Sequence, residues 1–329
     1  MEFKQRLYGW MPIHYAAALG QTNVINELLA AGCPVDARAC SNDTPLHVAI
    51  MHGQIESIKL LLENNADAHL AGQYGSTVLH CACSLSKRAG DWSNEADVAK
   101  ACQIVRILTE KHNANLNTRD ANGRTPLQYA RDATLVQTLL AAGADPLVTD
   151  THGRTLLHDA VTCSNAKDKI QILLDAGIDV NARDLDGRNA LFNAHYRHVH
   201  TLTRSGADVN ARDNTGNTPL IYTILAPRGS GLSASELLAC GADVDATDAE
   251  GKTALHHAMV KALPGAIEML LRSGADHNLR THENYTPLQI GLLVEIQQNM
   301  LDHDLHEAHQ RYNDCHHMLL QSGAAMKDE

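Results

Sequence analysis

Thr44-Pro45-Leu46-His47-Val48-Ala49-Ile50-Met51-His52-Gly53 is the stretch on which the reading of this chain turns. The Thr44 hydroxyl suits a helix start, where it accepts a backbone N–H that has no partner inside the helix. Pro45 suits the first helical position, where a missing N–H costs nothing. Leu46 and Ala49 then point inward, and Gly53 ends the helix. Beyond it, Ile55, Ile58, Leu61 and Leu62 form the apolar stripe of a second helix. Asn65 follows that stripe at a place that asks for left-handed backbone, which Gly and then Asn adopt most easily.

The unit recurs. Thr77-Val78-Leu79-His80, Thr125-Pro126-Leu127-Gln128, Thr155-Leu156-Leu157-His158, Thr218-Pro219-Leu220-Ile221, Thr253-Ala254-Leu255-His256 and Thr286-Pro287-Leu288-Gln289 are further copies. Met11-Pro12-Ile13-His14 and Asn189-Ala190-Leu191-Phe192 are degraded ones. Between helix pairs runs an extended finger with a turn, such as Asp120-Ala121-Asn122-Gly123 or Asp248-Ala249-Glu250-Gly251. Asp starts such turns by bonding its own backbone, and Gly supplies the unusual dihedral. Asn42 and Asn284 replace that Gly in two copies.

A period of about 33 residues carrying this tetrapeptide resembles the ankyrin repeat. The resemblance covers nearly the whole chain. It implies an all-α fold, an α-solenoid of stacked helix pairs with short β-turn fingers. Residues 1–329 then form a single array. Its nine repeats run roughly 7–38, 39–71, 72–119, 120–149, 150–183, 184–212, 213–247, 248–280 and 281–325. Repeats three and nine carry insertions of about fifteen residues, around 86–95 and 296–311. Repeats four and six are shortened between their helices, and the sixth has the most eroded motif.

Composition narrows the function. Lys+Arg is 27 and Asp+Glu is 38, for a net charge of −11. That balance argues against bulk binding to nucleic acid or to an anionic membrane. No apolar run is long enough for a transmembrane helix, and no signal-peptide core follows Met1. The eight scattered cysteines read as reduced, buried thiols in a reducing compartment, so a cytoplasmic location is expected. Export, or delivery to a host cell without a cleavable signal, stays open.

Chemistry is poorly represented. No nucleophile elbow, phosphate-binding loop or His-Glu-x-x-His motif is present, so neither an enzyme nor a cofactor site is expected. Pro227-Arg228-Gly229-Ser230-Gly231 lacks the ending of a phosphate loop and reads as a link between helices. In the family resembled, the tetrapeptide His bonds neighbouring loops, which implies a structural role for His14, His47, His80, His158 and His256. His303, His306 and His309 stand three residues apart and make a metal pair conceivable, against the plainer reading of a solvated helix face. No metal is expected there. Cys83 and Cys102 can approach one another across the third repeat.

The resemblance also implies a concave groove lined by fingers and inner helices. The residue before each tetrapeptide then supplies Trp10, Arg124, Arg154, Arg188, Lys252 and Tyr285. Tyr8, Tyr74 and His152 lie on fingers, and Tyr196 and Arg197 near the end of an inner helix. Trp92, in the third-repeat insertion, is either a partner anchor or a staple for its own loop. The stripe Arg124, Arg154, Arg188 and Lys252 stands on exposed fingers and suits a protein partner with an acidic surface. Alternatively, these cations pair with the adjacent finger Asp. The expected function is a monomeric, non-catalytic protein-binding module, whether scaffold, inhibitor or host-directed effector. A second reading is a substrate adaptor for a larger machine such as a ubiquitin ligase. A third is a metal-dependent or enzymatic role at the histidine-rich end.

Overall fold

The computed structural model describes residues 9–85, 95–226, 231–301 and 306–323, with the backbone alone for 295–301, 306–309 and 311. Among the described residues there are seventeen α-helices and no strand, only an isolated bridge between Thr247 and Thr253. In chain order the helices are Pro12–Leu19 and Thr22–Ala30, Pro45–Met51 and Ile55–Glu63, then Val78–Cys83 and Glu95–His112. Pro126–Tyr129 and Ala133–Ala141, then Leu156–Ala160 and Lys167–Asp175, follow. Next come the 3-10 turn Ala190–Asn193 with Tyr196–Arg204, Pro219–Leu225 with Gly231–Ala239, Ala254–Val260 with Pro264–Arg272, and Pro287–Leu301 with His306–Gln321. The all-α expectation therefore holds. The residues fall into two compact units, Met1–Leu156 with Asp168–Ile178, and Leu157–Lys167 with Asp179–Glu329.

The tetrapeptide builds each inner helix start and ties it to the next finger. The Thr44 hydroxyl accepts from His47 N–H at 3.4 Å, and His47 Nδ1 accepts from Thr44 N–H at 3.4 Å. Thr77 N–H with His80 and Thr253 N–H with His256 repeat this at 3.0 and 3.1 Å. The far ring nitrogen donates onward. His14 reaches the Asp43 carbonyl at 3.2 Å, His47 that of Ser76 at 3.2 Å and His80 that of Arg124 at 2.9 Å. In the second unit His158 reaches the Arg188 carbonyl at 3.0 Å and His256 that of Tyr285 at 3.1 Å. A backbone N–H only donates and a carbonyl only accepts, so these contacts fix the neutral tautomer with its proton on Nε2. Burial lowers the pKa of His14, His47, His80 and His256 in the same sense, to about 4 for His256. Gln128 and Gln289 keep the capping half, each Oε1 accepting from its threonine N–H at 2.9 and 3.0 Å.

Apolar contacts between pairs supply the core. In the first unit Ile13, Ile25, Leu46, Ile58, Leu61, Leu79, Leu108 and Leu127 are buried. In the second unit Leu220, Ile221, Leu255, Met259, Ile267, Leu270 and Leu288 form one cluster. Of the stripe read from the second repeat, Ile58, Leu61 and Leu62 are buried, and Ile55 is half-buried at its helix start. Asn42 and Asn284 take φ of 68° and 69°, beside 71° at Gly123, so asparagine does substitute for the turn glycine.

Two local expectations are corrected. The shortening of repeats four and six falls in the first helix itself, cut to Pro126–Tyr129 and to the 3-10 turn Ala190–Asn193. Tyr196 and Arg197 accordingly open the outer helix Tyr196–Arg204 rather than ending an inner one, and Arg197 N–H donates to His195 Nδ1 at 3.4 Å. Most of the ninth-repeat insertion lengthens the helices Pro287–Leu301 and His306–Gln321, which absorb it as extra turns. Of the remaining insertion residues, 86–94 lie outside the described residues, as do 227–230 of the inter-helix link.

Candidate interaction surface

Each finger turn is organised by its aspartate. Asp120 Oδ1 accepts from Asn122 N–H at 2.8 Å and Arg124 N–H at 3.0 Å. Asp150, Asp213 and Asp248 accept from the residues two and four further on at 2.8 to 3.0 Å. These bonds fix the residue just before the tetrapeptide, which is why Arg124, Arg154 and Lys252 project from fingers.

The second carboxylate oxygen meets a different donor each time. Asp120 Oδ2 accepts from the Tyr129 hydroxyl at 2.5 Å. Asp150 Oδ2 accepts from Arg154 Nε at 3.0 Å and Nη2 at 2.8 Å. Asp213 Oδ2 accepts from Arg188 Nε at 3.4 Å, and Asp248 Oδ2 lies 2.7 Å from His257 Nε2. Burial pushes all four carboxyls up, but hydrogen bonds more than offset it: the side-chain donors above together with backbone N–H groups at Asp120, Asp150 and Asp248, and the side chains and N–H groups of Thr215 and Asn217 at Asp213. Asp120, Asp150, Asp213 and Asp248 are held below the usual carboxylate range.

The cationic stripe is therefore partly spent inside the fold. Arg154 satisfies Asp150, whose side chain is 2% exposed. Arg188 contacts Asp213 and also Asp186 at 3.2 Å, and its guanidinium lies 4.4 Å from the centre of the Tyr222 ring. Lys252 pairs with Glu250 at 2.5 Å. The row of arginines before the finger turns is also structural. Arg119 Nη1 donates to the Gly123 carbonyl at 2.7 Å and the Thr149 carbonyl at 2.6 Å, and Arg38 bonds the Asn42 and Ala71 carbonyls likewise. Reversing Arg154 to Glu is thus expected to cost about 1–3 kcal/mol of stability, because the buried Asp150 loses its charged donor. Urea unfolding checks this, and an unchanged midpoint would contradict it.

Arg124 and Arg197 differ. Among the described residues neither makes an ion pair. Their guanidinium carbons sit 6.0 Å from the Tyr129 ring centre and 5.7 Å from that of Tyr196. An arginine resting on an aromatic face keeps N–H groups along its edge for a carboxylate.

Tyr74 is 72% exposed and has φ of 55°, a left-handed conformation that bulky residues rarely adopt. Its carbonyl accepts from Ala121 N–H at 2.8 Å, which places it beside the next finger of the first unit. Trp10 packs edge-on against Tyr15, ring centres 5.2 Å apart, and near His52 at 6.1 Å. His152 is exposed, and Tyr285 is half-buried with its carbonyl taken by His256. Tyr8 and Trp92 lie outside the described residues. Sequence reasoning missed Tyr15, Tyr129, Tyr222 and His257. All four directly follow a tetrapeptide, so the register that picked the preceding residue also picks these.

No group of three His, Cys, Asp or Glu able to hold a metal ion occurs among the described residues. His303 lies outside them, and His306 and His309 are described as backbone only. The expectation of buried thiols holds for Cys83, Cys102 and Cys315 but not for Cys40 and Cys163, which are exposed, nor for Cys33, Cys81 and Cys240, which are half-buried. The Cys83 thiol is pushed up, first by burial and then by Cys81 and Cys102. Among the described residues, no helix is long and apolar enough to cross a membrane.

Stacked helix pairs with capped starts and hydrogen-bonded fingers define an α-helical repeat protein. The family model described as ankyrin repeats (3 copies) matches residues 13–101, 96–184, 131–213 and 188–281, and the chain belongs to that family. It is similar to a B-cell lymphoma 3 protein homolog from Mus musculus, 31% identical over 234 residues, 66% of this chain and 48% of that protein. It is similar to the E3 ubiquitin-protein ligase KEG of Arabidopsis thaliana, 28% identical over 211 residues, 53% of this chain and 13% of that protein. The solved ankyrin repeat domain of Bcl-3, described as a unique member of the IkappaB protein family, aligns with a TM-score of 0.54 and 30% identity. That alignment covers 69% of this chain and all of the solved one. The chain thus spans half or less of the length of these two curated relatives. Ankyrin repeats are protein–protein interaction modules, and that is the class of function the chain carries.

Proposed function

We propose that the chain binds a protein partner through its finger faces, with Tyr74 as the contact that carries the reading in the first unit. A large aromatic side chain is held in solvent by a backbone conformation that disfavours it. Strained, exposed residues of this kind concentrate at recognition sites, and tyrosine is enriched among residues that dominate interfaces. Arg124 on Tyr129 and Arg197 on Tyr196 supply cations for acidic groups of the partner. Arg154, Arg188 and Lys252 set the local field, while His152, Trp10 and Tyr285 flank the contact. The chain acts as a monomeric, non-catalytic scaffold or inhibitor.

Tyr74→Asn separates recognition from folding. Asn tolerates the left-handed region, so this variant is expected to gain up to about 1 kcal/mol of stability. It is also expected to bind its partner more weakly. The measurement is affinity capture with the wild-type chain, identification of the bound protein by mass spectrometry, and titration of that protein against Tyr74→Asn and Arg124→Glu. Unchanged affinity in both variants would remove the finger-face reading. A second reading, a substrate adaptor of a ubiquitin ligase, draws support from the resemblance to the repeat region of KEG. Ligase subunits among the captured proteins would favour it.

A further inference from the structure

Away from the fingers, the second unit brings a thiol, an imidazole and a carboxylate into line. Cys240 directly follows the outer helix Gly231–Ala239, and His200 lies on the preceding outer helix Tyr196–Arg204. Cys240 Sγ is 3.2 Å from His200 Nδ1, and His200 Nε2 is 3.0 Å from Glu236 Oε2. A carboxylate oxygen accepts only, so it holds the imidazole proton on Nε2. That leaves the Nδ1 lone pair facing the thiol. Packing and a backbone bond from Cys240 N–H to the Glu236 carbonyl at 3.0 Å hold the thiol and carboxylate on adjacent turns. The Thr203 hydroxyl lies 3.4 Å from Sγ, where it can turn to donate to a thiolate. The His200 side chain is 53% exposed and Cys240 is half-buried, so small solutes reach the sulfur.

We propose that Cys240, His200 and Glu236 form a base-activated thiol site that reacts with hydrogen peroxide. The Sγ proton passes to His200 Nδ1, and Glu236 stabilises the imidazolium that forms. The thiolate attacks one peroxide oxygen. An S–O bond forms, the O–O bond breaks, and the departing hydroxide takes the His200 proton to leave as water. Sulfur is oxidised by two electrons to a sulfenic acid, and the peroxide is reduced by two. The helix C-terminus next to Cys240 opposes ionisation, but its partial charge is about half a unit, whereas the imidazolium carries a full one. Four other thiols serve as comparisons. Cys83 and Cys315 are buried, with Cys315 pushed up to about 11 by burial. Cys40 and Cys163 are exposed, and His198 Nε2 near Cys163 meets its backbone carbonyl, not its sulfur.

The test exposes the full chain at pH 7 to hydrogen peroxide, traps sulfenic acid with dimedone, and follows each cysteine by mass spectrometry. Cys240 is expected to be trapped about tenfold faster than the exposed Cys40 and Cys163, because only its sulfur has a positioned base to take the proton. His200→Gln, which keeps the bulk, and Glu236→Gln are each expected to bring Cys240 down towards those controls. Trapping of Cys240 no faster than Cys40 overturns the proposal, as does a folded His200→Gln protein with an unchanged rate. The comparison within the wild-type chain needs no variant, so it decides the matter even if a variant fails to fold.

Discussion

Replacement of Leu255 by Ala is expected to lower the free energy of unfolding by about 2–5 kcal/mol. Leu255 is fully buried in the inner helix Ala254–Val260, within the cluster that includes Leu220, Ile221, Met259, Ile267, Leu270 and Leu288. The loss combines the transfer energy of the removed atoms with the cavity they leave. Helix pairs are coupled to their neighbours, so the damage is expected to spread from this helix to Pro219–Leu225, Pro264–Arg272 and Pro287–Leu301. Hydrogen exchange resolved by peptide checks both size and range. Loosening of Pro12–Leu19 as large as that of Ala254–Val260 would contradict the nearest-neighbour account.

Acidification is expected to unfold the array between about pH 6.5 and pH 4, above the range where carboxylates titrate. His14, His47, His80 and His256 have folded pKa values depressed by burial, to about 4 for His256. Above the unfolded value both states are neutral and stability is fully present. As pH falls through 6.5 the unfolded chain takes up protons that the folded chain refuses, and stability drops until the folded value is passed. For His256 the drop is ~3 kcal/mol, at about 1.4 kcal/mol per unit. Asp120, Asp150, Asp213 and Asp248 are shifted downward, so their contribution is lost only below the ordinary carboxylate range. Nature supplies the control within this chain: Gln128 and Gln289 cap the same threonine N–H without titrating. In urea titrations across this range, His256→Gln is expected to fold at pH 7 and to lose ~3 kcal/mol less on acidification. An equally steep acid limb in His256→Gln would show that the buried imidazole is not its cause.

The fold was legible because it is written locally and many times over. Thr44, Pro45, His47 and Asn65 each specify one backbone feature, and the period repeats the specification. What escaped reading depended on contacts between repeats. Nothing local says that Arg154 turns back to Asp150 while Arg124 leans on Tyr129. Asp120 Oδ2 is taken by the Tyr129 hydroxyl, whereas Asp150 Oδ2 is taken by Arg154 itself. The shortened sixth motif hid a similar ambiguity, since the loss of Thr and His at Asn189 and Phe192 does not announce that the inner helix contracts to one 3-10 turn. His200, Glu236 and Cys240 were invisible for the same reason, lying up to forty residues apart and meeting only when two outer helices pack.

The central claim is that recognition lies on the fingers and inner helices. The most direct measurement is hydrogen exchange of the chain alone and with its captured partner. Protection is expected at the finger turn around Gln73–Gly75, at 120–124 and at the start of Pro126–Tyr129, with the outer helices Thr22–Ala30, Ile55–Glu63 and Ala133–Ala141 unchanged. Protection confined to those outer helices, with the fingers exchanging as in the free chain, would contradict the account.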